Sequence, residues 1–316
     1  MLAVVFDNEL RLSQDYPEPT INNDQALLKI RHAGICNTDL EIIKGYMGFS
    51  GILGHEFVAD VVKGSDHLVG KRVVGEINVA DGECEFCLSG VPSQCTNRTT
   101  VGIDRHAGGF ADYLALTEQN LHIIPDNVSD EAAVFVEPLA AALQVTESVH
   151  ISPRDHVVVI GAGKLGLLVA QVLKLTGADL SVIVRREKQA QLLKKWGIRA
   201  VHKDELAKKS ADVVVDCAGT VDGFNDALNL VKARGTIVLK STYQGLPQVD
   251  LTRVVVDEIR VIGSRCGSFE SAIRLLELGV VDVESLIEAR FKLEDAIDAI
   301  HLAGEKGVLK VLLDCM

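Results

Sequence analysis

The sequence predicts an α/β protein: a mostly-β part followed by a doubly wound parallel sheet. Three observations lead there. The first 135 residues read as short β runs broken by turn residues. From Asp155 onward, strands alternate with helices long enough to cross from one parallel strand to the next. A glycine-rich turn, Gly161-Ala162-Gly163-Lys164-Leu165-Gly166, joins the first of those strands to the first of those helices.

In the first part, the runs 2–6, 26–31, 57–62, 72–74 and 111–116 are rich in Val, Ile, Leu and aromatics, with Gly, Asp, Asn and Pro between them. One long helix is expected over 130–149. The alternation then predicts strand 156–160, helix 164–175, strand 180–184, helix 187–196, strand 212–216, helix 221–231 and strand 236–240. Val157-Val158-Val159-Ile160 and Val213-Val214-Val215 are uniformly apolar, as strands covered by helices on both faces should be. Two helical patterns at 269–278 and 293–303 and a strand at 308–313 complete the reading.

The chain has 316 residues, more than one average core fills, so two domains are expected. Hydrophobic residues make up 47% and charged residues 24%, an ordinary balance for a globular protein. No segment supplies the roughly 18 apolar residues of a membrane span. Met-Leu-Ala-Val-Val-Phe-Asp at the N-terminus has no basic flank, so the expected compartment is the cytoplasm. A net charge of −12 argues against nucleic acid and anionic membranes as partners. Seven cysteines are present, and Cys84, Cys87 and Cys95 crowd together. In a reducing compartment that points to metal ligands rather than disulfides. Cys217 and Cys315 read as small hydrophobes.

The glycine turn has the context that makes its motif informative. The first glycine permits the tight turn, the second lets backbone approach a pyrophosphate, and the third lets helix and strand pack closely. Gly161, Gly163, Lys164, Leu165 and Gly166 are therefore the candidate phosphate cradle, at a helix N-terminus with free N–H groups. An NAD-binding strand should end in Asp or Glu for the ribose 2′-OH. The second strand here runs instead into Arg185-Arg186, whose guanidinium groups suit a 2′-phosphate. NADP is the expected cofactor.

Cys36, His55 and Glu56 bring together a thiol, an imidazole and a carboxylate, a plausible set for a catalytic zinc that keeps one position open. The motifs Gly34-Ile35-Cys36-Asn37-Thr38-Asp39, Gly54-His55-Glu56-Phe57, Gly108-Gly109-Phe110-Ala111-Asp112-Tyr113 and Glu137-Pro138-Leu139 follow one another in order. With the glycine turn and the closing Gly307-Val308-Leu309-Lys310-Val311, they make the chain resemble the zinc-dependent medium-chain dehydrogenase/reductase superfamily almost end to end.

The resemblance implies a GroES-like catalytic domain over 1–138, a Rossmann domain over 139–268 and a return to the catalytic domain over 269–316. It implies a catalytic zinc on Cys36 and His55, with Glu56 binding directly or through water. Glu137, a Glu before Pro, stands where the polyol and sugar branch places its third ligand. Glu41 replaces the proton-relay His of simple alcohol dehydrogenases, as in the glucose dehydrogenase branch. The family's structural zinc lobe uses four cysteines; here Asp81 takes the first place, before Cys84, Cys87 and Cys95. The loop 102–109, with His106, lies near the pocket in relatives. The implied activity moves a hydride between a secondary alcohol, polyol or sugar and NADP. Thr38 carries the alcohol proton away and Glu41 passes it on, in a homodimer or homotetramer. A zinc-free quinone or enone reductase, or a non-enzymatic nucleotide-binding relative, would lack the Cys/His/Glu set or an intact glycine turn.

Overall fold

A computed structural model describes residues 1–242 and 248–316 of the chain. Among residues 1–137 it contains strands β1 (Ala3–Asp7), β2 (Glu9–Ser13) and β3 (Gln25–Ile35), then helix α1 (Asn37–Ile43). Strands β4 (Gly51–Ile52), β5 (Glu56–Lys63), β6 (Arg72–Gly75) and β7 (Asn78–Val79) follow, then the short helix α2 (Glu85–Leu88). Strands β8 (Thr99–Val101), β9 (Arg105–His106), β10 (Tyr113–Thr117) and β11 (Leu121–Ile123) lead to helix α3 (Asp130–Ala133). Helix α4 (Val136–Ser148) precedes the alternation β12 (His156–Ile160), α5 (Lys164–Lys174), β13 (Asp179–Ile183), α6 (Glu187–Lys195), β14 (Arg199–Val201), β15 (Ala211–Asp216), α7 (Gly223–Leu230), β16 (Val231–Leu239), α8 (Leu251–Val256) and β17 (Arg260–Gly263). The chain ends with α9 (Phe269–Glu277), β18 (Ile287–Lys292), α10 (Ala296–Ala303) and β19 (Lys310–Asp314).

The chain divides into two compact units. Residues 1–137 and 269–316 form the first, and 138–268 the second. The first unit is built on a sheet in the order β11-β6-β5-β3-β19-β18, with β10 also paired to β3. β3 is its spine: β10 takes residues 25–29 and β19 takes residues 32–35, while β5 pairs antiparallel along 27–34. Its apolar residues Ala26, Leu28, Ile30, Ala33 and Ile35 are fully buried. In the second unit six strands run parallel in the order β14-β13-β12-β15-β16-β17. That order reverses direction between β12 and β15, the place where doubly wound sheets bind ligands.

The helix expected over 130–149 is two helices. α3 stops at Ala133 and α4 starts at Val136. Pro138 has no N–H with which to continue a helix, but it fits the first turn of a new one. Ser129 caps α3: the Ala132 amide donates to its Oγ at 3.1 Å. Elements absent from the sequence reading are β2, α1, β4, β7, α2, β8, β9 and β11 in the first part, and β14, α8, β17 and β18 after it. β14 and β17 are short strands at the two edges of the second sheet, and α8 carries three consecutive valines, which disfavour a helix by propensity.

One charged network ties β3, β5 and β6 to α3. Arg31 donates to Asp130 at 2.6 Å and to Asp60 at 2.9 Å. Arg72 donates to the other oxygen of Asp130 at 2.6 Å and to the Pro125 carbonyl at 2.7 Å. Partial burial works to raise the Asp130 carboxyl, but the guanidinium groups of Arg72 and Arg31 outweigh it and hold it below the usual range. Asp130→Asn is expected to lower stability by about 1–3 kcal/mol. A carboxyl depressed in the folded state contributes above its unfolded pKa and loses that contribution as pH falls through the folded value. The gap between parent and variant in denaturant midpoint should thus be full at pH 7 and close in acid.

Candidate metal and dinucleotide sites

β3 ends at Ile35, and Cys36 caps α1. The β3–β5 register sets Gly34 against Glu56, which brings Cys36 beside His55 and Glu56. Ligand atoms of these three residues all lie within 4.8 Å of one another. His55 and Glu56 are buried and Cys36 half-buried. Behind them stands Asp39, fully buried. Its Oδ2 accepts from the Cys36 amide at 2.8 Å, and its Oδ1 lies 3.2 Å from His55 Nδ1. That second contact is a charge pairing rather than an aligned hydrogen bond. Burial alone would lower the His55 pKa, but the Asp39 carboxylate, then Cys36, push it well above the ordinary imidazole value. A carboxylate behind a histidine fixes ring orientation and raises its basicity toward a metal.

Glu56 also has a cation. β19 lies along β3 with Val311 opposite Ile35, so the buried Lys310 reaches in and pairs with Glu56 Oε2. Its ammonium also stands 5.7 Å from the centroid of the Phe135 ring. Burial opposes the Lys310 charge, yet Glu56, Cys36 and Glu137 together raise its pKa. Gly34 makes the space: a Cβ there would meet Glu56 Oε2 at 2.6 Å and Val134 Cγ1 at 2.7 Å. The other oxygen, Glu56 Oε1, is buried with no hydrogen-bond partner among the described residues.

A buried orphan carboxylate oxygen beside a thiol and an imidazole is a donor set that fits a divalent cation, zinc above all. Glu137 sits in the first turn of α4, half-buried. It acts on Lys310 by charge but stands outside the 4.8 Å group. The Thr38 hydroxyl lies 3.7 Å from Cys36 Sγ. Glu41, one turn along α1, accepts from Lys44 at 2.9 Å.

A second cluster lies around α2. Asp81, Cys84, Cys87 and Cys95 place one ligand atom each within 4.8 Å of the others. Asp81 Oδ1 accepts from the amides of Glu83 at 2.9 Å and Cys84 at 3.1 Å, and Asn97 donates to Oδ2 at 2.7 Å. These bonds hold the carboxyl far below its usual range. The backbone amides of Cys87 and Thr96 lower the Cys84 thiol to about 7, while desolvation and the neighbouring thiols of Cys84 and Cys95 push Cys87 up to about 12. An anionic Asp with three sulfurs is a closed tetrahedral set.

In the second unit the glycine turn follows β12 and opens α5, with Gly163 as its cap. Gly161 has φ +96°, a conformation that favours glycine. A Cβ on Gly166 would stand 1.9 Å from the Gly161 carbonyl oxygen, so helix and strand pack closely only because Gly166 has none. Lys164 and Leu165 form the first turn of α5, whose free amides are a ready anion site. Arg185 and Arg186 follow the end of β13, both exposed, and Arg186 caps α6.

Sequence reasoning missed Asp39, Lys310 and Asn97 as partners. For Asp39 a signal was present: a carboxylate three residues after a helix cap is the capping-box position. For Lys310 it was the lone cation in Val308-Leu309-Lys310-Val311-Leu312-Leu313. Asn97 gave none.

The comparisons with known proteins agree with this geometry. Residues 22–126 match the alcohol dehydrogenase GroES-like domain and residues 165–279 the zinc-binding dehydrogenase domain. A sorbitol dehydrogenase of Halalkalibacterium halodurans is 30% identical, over 95% of this chain and 94% of its own length. An L-threonine 3-dehydrogenase of Salmonella arizonae is 31% identical, over 95% and 94%. A zinc-binding dehydrogenase of Sinorhizobium meliloti 1021, solved with NADP, superposes with a TM-score of 0.90 at 27% identity, covering 99% of this chain and 98% of its own. With its GroES-like and parallel-sheet units, the chain is an oxidoreductase belonging to the zinc-dependent medium-chain dehydrogenase/reductase superfamily, in its polyol branch.

Proposed function

We propose that the protein transfers a hydride between a secondary alcohol, polyol or sugar and NADP, at a zinc held by Cys36, His55 and Glu137 with Glu56 beside it. The convergence of Cys36, His55 and Glu56 within 4.8 Å, with Asp39 behind the histidine, carries this reading. A bound zinc would polarise the substrate hydroxyl and lower its pKa. The chain's own residues do the rest. Asp39 orients His55, and Lys310 holds the Glu56 carboxylate in place. Glu137, presented from the first turn of α4, would complete the ligand set. Thr38 takes the alcohol proton, and Glu41, steadied by Lys44, passes it on. Relatives named for sorbitol and for L-threonine support an alcohol bearing further polar groups, and an acidic Glu41 favours the polyols and sugars among them.

The Asp81, Cys84, Cys87 and Cys95 cluster is the seat of a second, structural zinc. Arg185 and Arg186 recognise the 2′-phosphate of NADP. The protein works in the cytoplasm as a homo-oligomer. β17 is an edge strand, and beside it in sequence Leu251, Val255 and Val256 are 64%, 75% and 73% exposed, a surface that self-association would cover. No helix among the described residues is long and apolar enough to cross a membrane.

Three measurements test this reading. Cys36→Ala should abolish alcohol-dependent dinucleotide reduction and leave one zinc per chain by elemental analysis, while dinucleotide binding persists. A variant that keeps its turnover without that zinc refutes the metal chemistry. For the lobe, Cys95→Ser should cut the zinc content by one and lower the melting temperature with kcat little changed, because closed zinc sites supply folding energy. A parent that never exceeds one zinc per chain refutes the second site. For the cofactor, kcat/KM should be higher for NADP than for NAD. Arg185→Asp should cut that ratio by about ten- to a hundredfold, the worth of one or two charged hydrogen bonds; an unchanged ratio refutes the role.

A further inference from the structure

We propose that Asn97 is a positioning residue of the lobe site: it holds one oxygen of Asp81, so that the carboxylate meets a metal through the other oxygen alone, as a thiolate would. The inference rests on the reading that the lobe holds a metal. The strand ladder sets up the contact. β7 and β8 pair antiparallel, with Val79 opposite Thr99. Asp81 stands two residues beyond Val79 and Asn97 two residues before Thr99, so the same register carries them toward each other. The Asn97 side-chain amide donates to Asp81 Oδ2 at 2.7 Å. Its nitrogen is the atom in that contact, because an ionised carboxylate only accepts. The short stretch 95–97 also supplies Cys95, one of the candidate ligands, and the Thr96 amide, which donates to Cys84.

Backbone amides point at all four ligand groups of the lobe. The Asp81 amide reaches Cys95 Sγ at 3.5 Å. The amides of Cys87 and Thr96 reach Cys84, and the Gly82 amide reaches Cys87. The amides of Glu83 and Cys84 reach Asp81 Oδ1 at 2.9 and 3.1 Å. Donors aimed this way favour anionic ligand atoms. Asp81 Oδ1 is thus held as a fourth sulfur would be, and it lies 3.4 Å from Cys87 Sγ, inside the group. What no cysteine has is a second ligand atom. A carboxylate left loose at Oδ2 would turn, exchange its two oxygens, or bring both to the metal and add a fifth ligand atom to a closed tetrahedral site. A side chain, not the backbone, takes Oδ2 here, and its one hydrogen bond opposes all three. Because the Asn97 amide is neutral, it fixes the oxygen without competing with the metal for the carboxylate's charge.

Zinc affinity tests this on the full-length, zinc-loaded protein, without turnover. Zinc is titrated away with a chromogenic chelator, and the lobe's zinc is the one that Cys95→Ser removes. Asn97→Ala should lower the lobe's affinity by roughly tenfold, the scale on which hydrogen-bond partners of metal ligands act. Asp81→Cys supplies the control, since a sulfur has no second ligand atom to hold. In that background Asn97→Ala should leave the affinity as it was. An asparagine that merely stiffens the lobe would weaken zinc alike in both backgrounds, and that outcome overturns the proposal. So does an Asn97→Ala that keeps the parent's affinity. If Asp81→Cys does not fold, cobalt bound in the lobe decides. The visible bands of four-coordinate cobalt should lose intensity in Asn97→Ala as the second oxygen joins the metal, and bands identical to the parent's overturn the proposal. A parent that takes up only one zinc per chain refutes the two-zinc reading and this proposal with it; the other failures leave that reading standing.

Discussion

The buried pair between Glu56 and Lys310 is the constraint around which the first unit is arranged. A carboxylate with no exposure and an ammonium with 2% would each be costly to bury alone. Neither residue can be placed without the other, and they are 254 positions apart in the chain. This explains why the first unit is discontinuous in sequence. β19 must come back from the end of the chain to lie on β3, because only there does Lys310 meet Glu56. It also explains Gly34, which sits in register with Glu56 on one neighbour and Leu312 on the other. Any side chain there would occupy the space that the ion pair fills.

From that pair the candidate metal ligands follow in order. Glu56 begins β5, so His55 is the residue just before the strand, and Cys36 is the residue just after β3. Two strand ends in antiparallel register therefore present thiol and imidazole to the same spot. Asp39, one helical turn into α1, fastens both: the Cys36 amide with one oxygen and the His55 ring with the other. The site consists of backbone-anchored groups on regular elements, the arrangement that holds catalytic geometry most closely.

Much of this was legible in the sequence, for reasons that can be named. The second unit announced itself because a parallel sheet covered on both faces gives runs such as Val157-Val158-Val159-Ile160, and because a phosphate-binding turn needs glycines at fixed offsets. Cys36, His55 and Glu56 were legible as a group because a thiol, an imidazole and a carboxylate together make a candidate ligand set, and the fold brings them together. What stayed hidden was of two kinds. Edge strands such as β17 make few contacts and so leave little pattern, although β18, with Ile287, Ala289 and Phe291 alternating with charges, did carry a period of two that was overlooked. The partners of charged groups stayed hidden because they come from far away in the chain. Lys310 was quoted as part of a motif, and nothing local in that motif says it faces a glutamate.

The two buried lysines use one physical device for opposite ends. Each interrupts or follows an apolar strand, and each is held by several groups rather than by one. Lys310 stands among acidic groups, Glu56 with Cys36 and Glu137 nearby, and its pairing with Glu56 offsets the cost of burying both. Lys240 is held by two carbonyls and a hydroxyl. In the first unit the lysine is paired with an acid that would otherwise be unsatisfied. In the second unit the lysine satisfies backbone carbonyls beyond the strand ends, where the sheet supplies them no ladder partner.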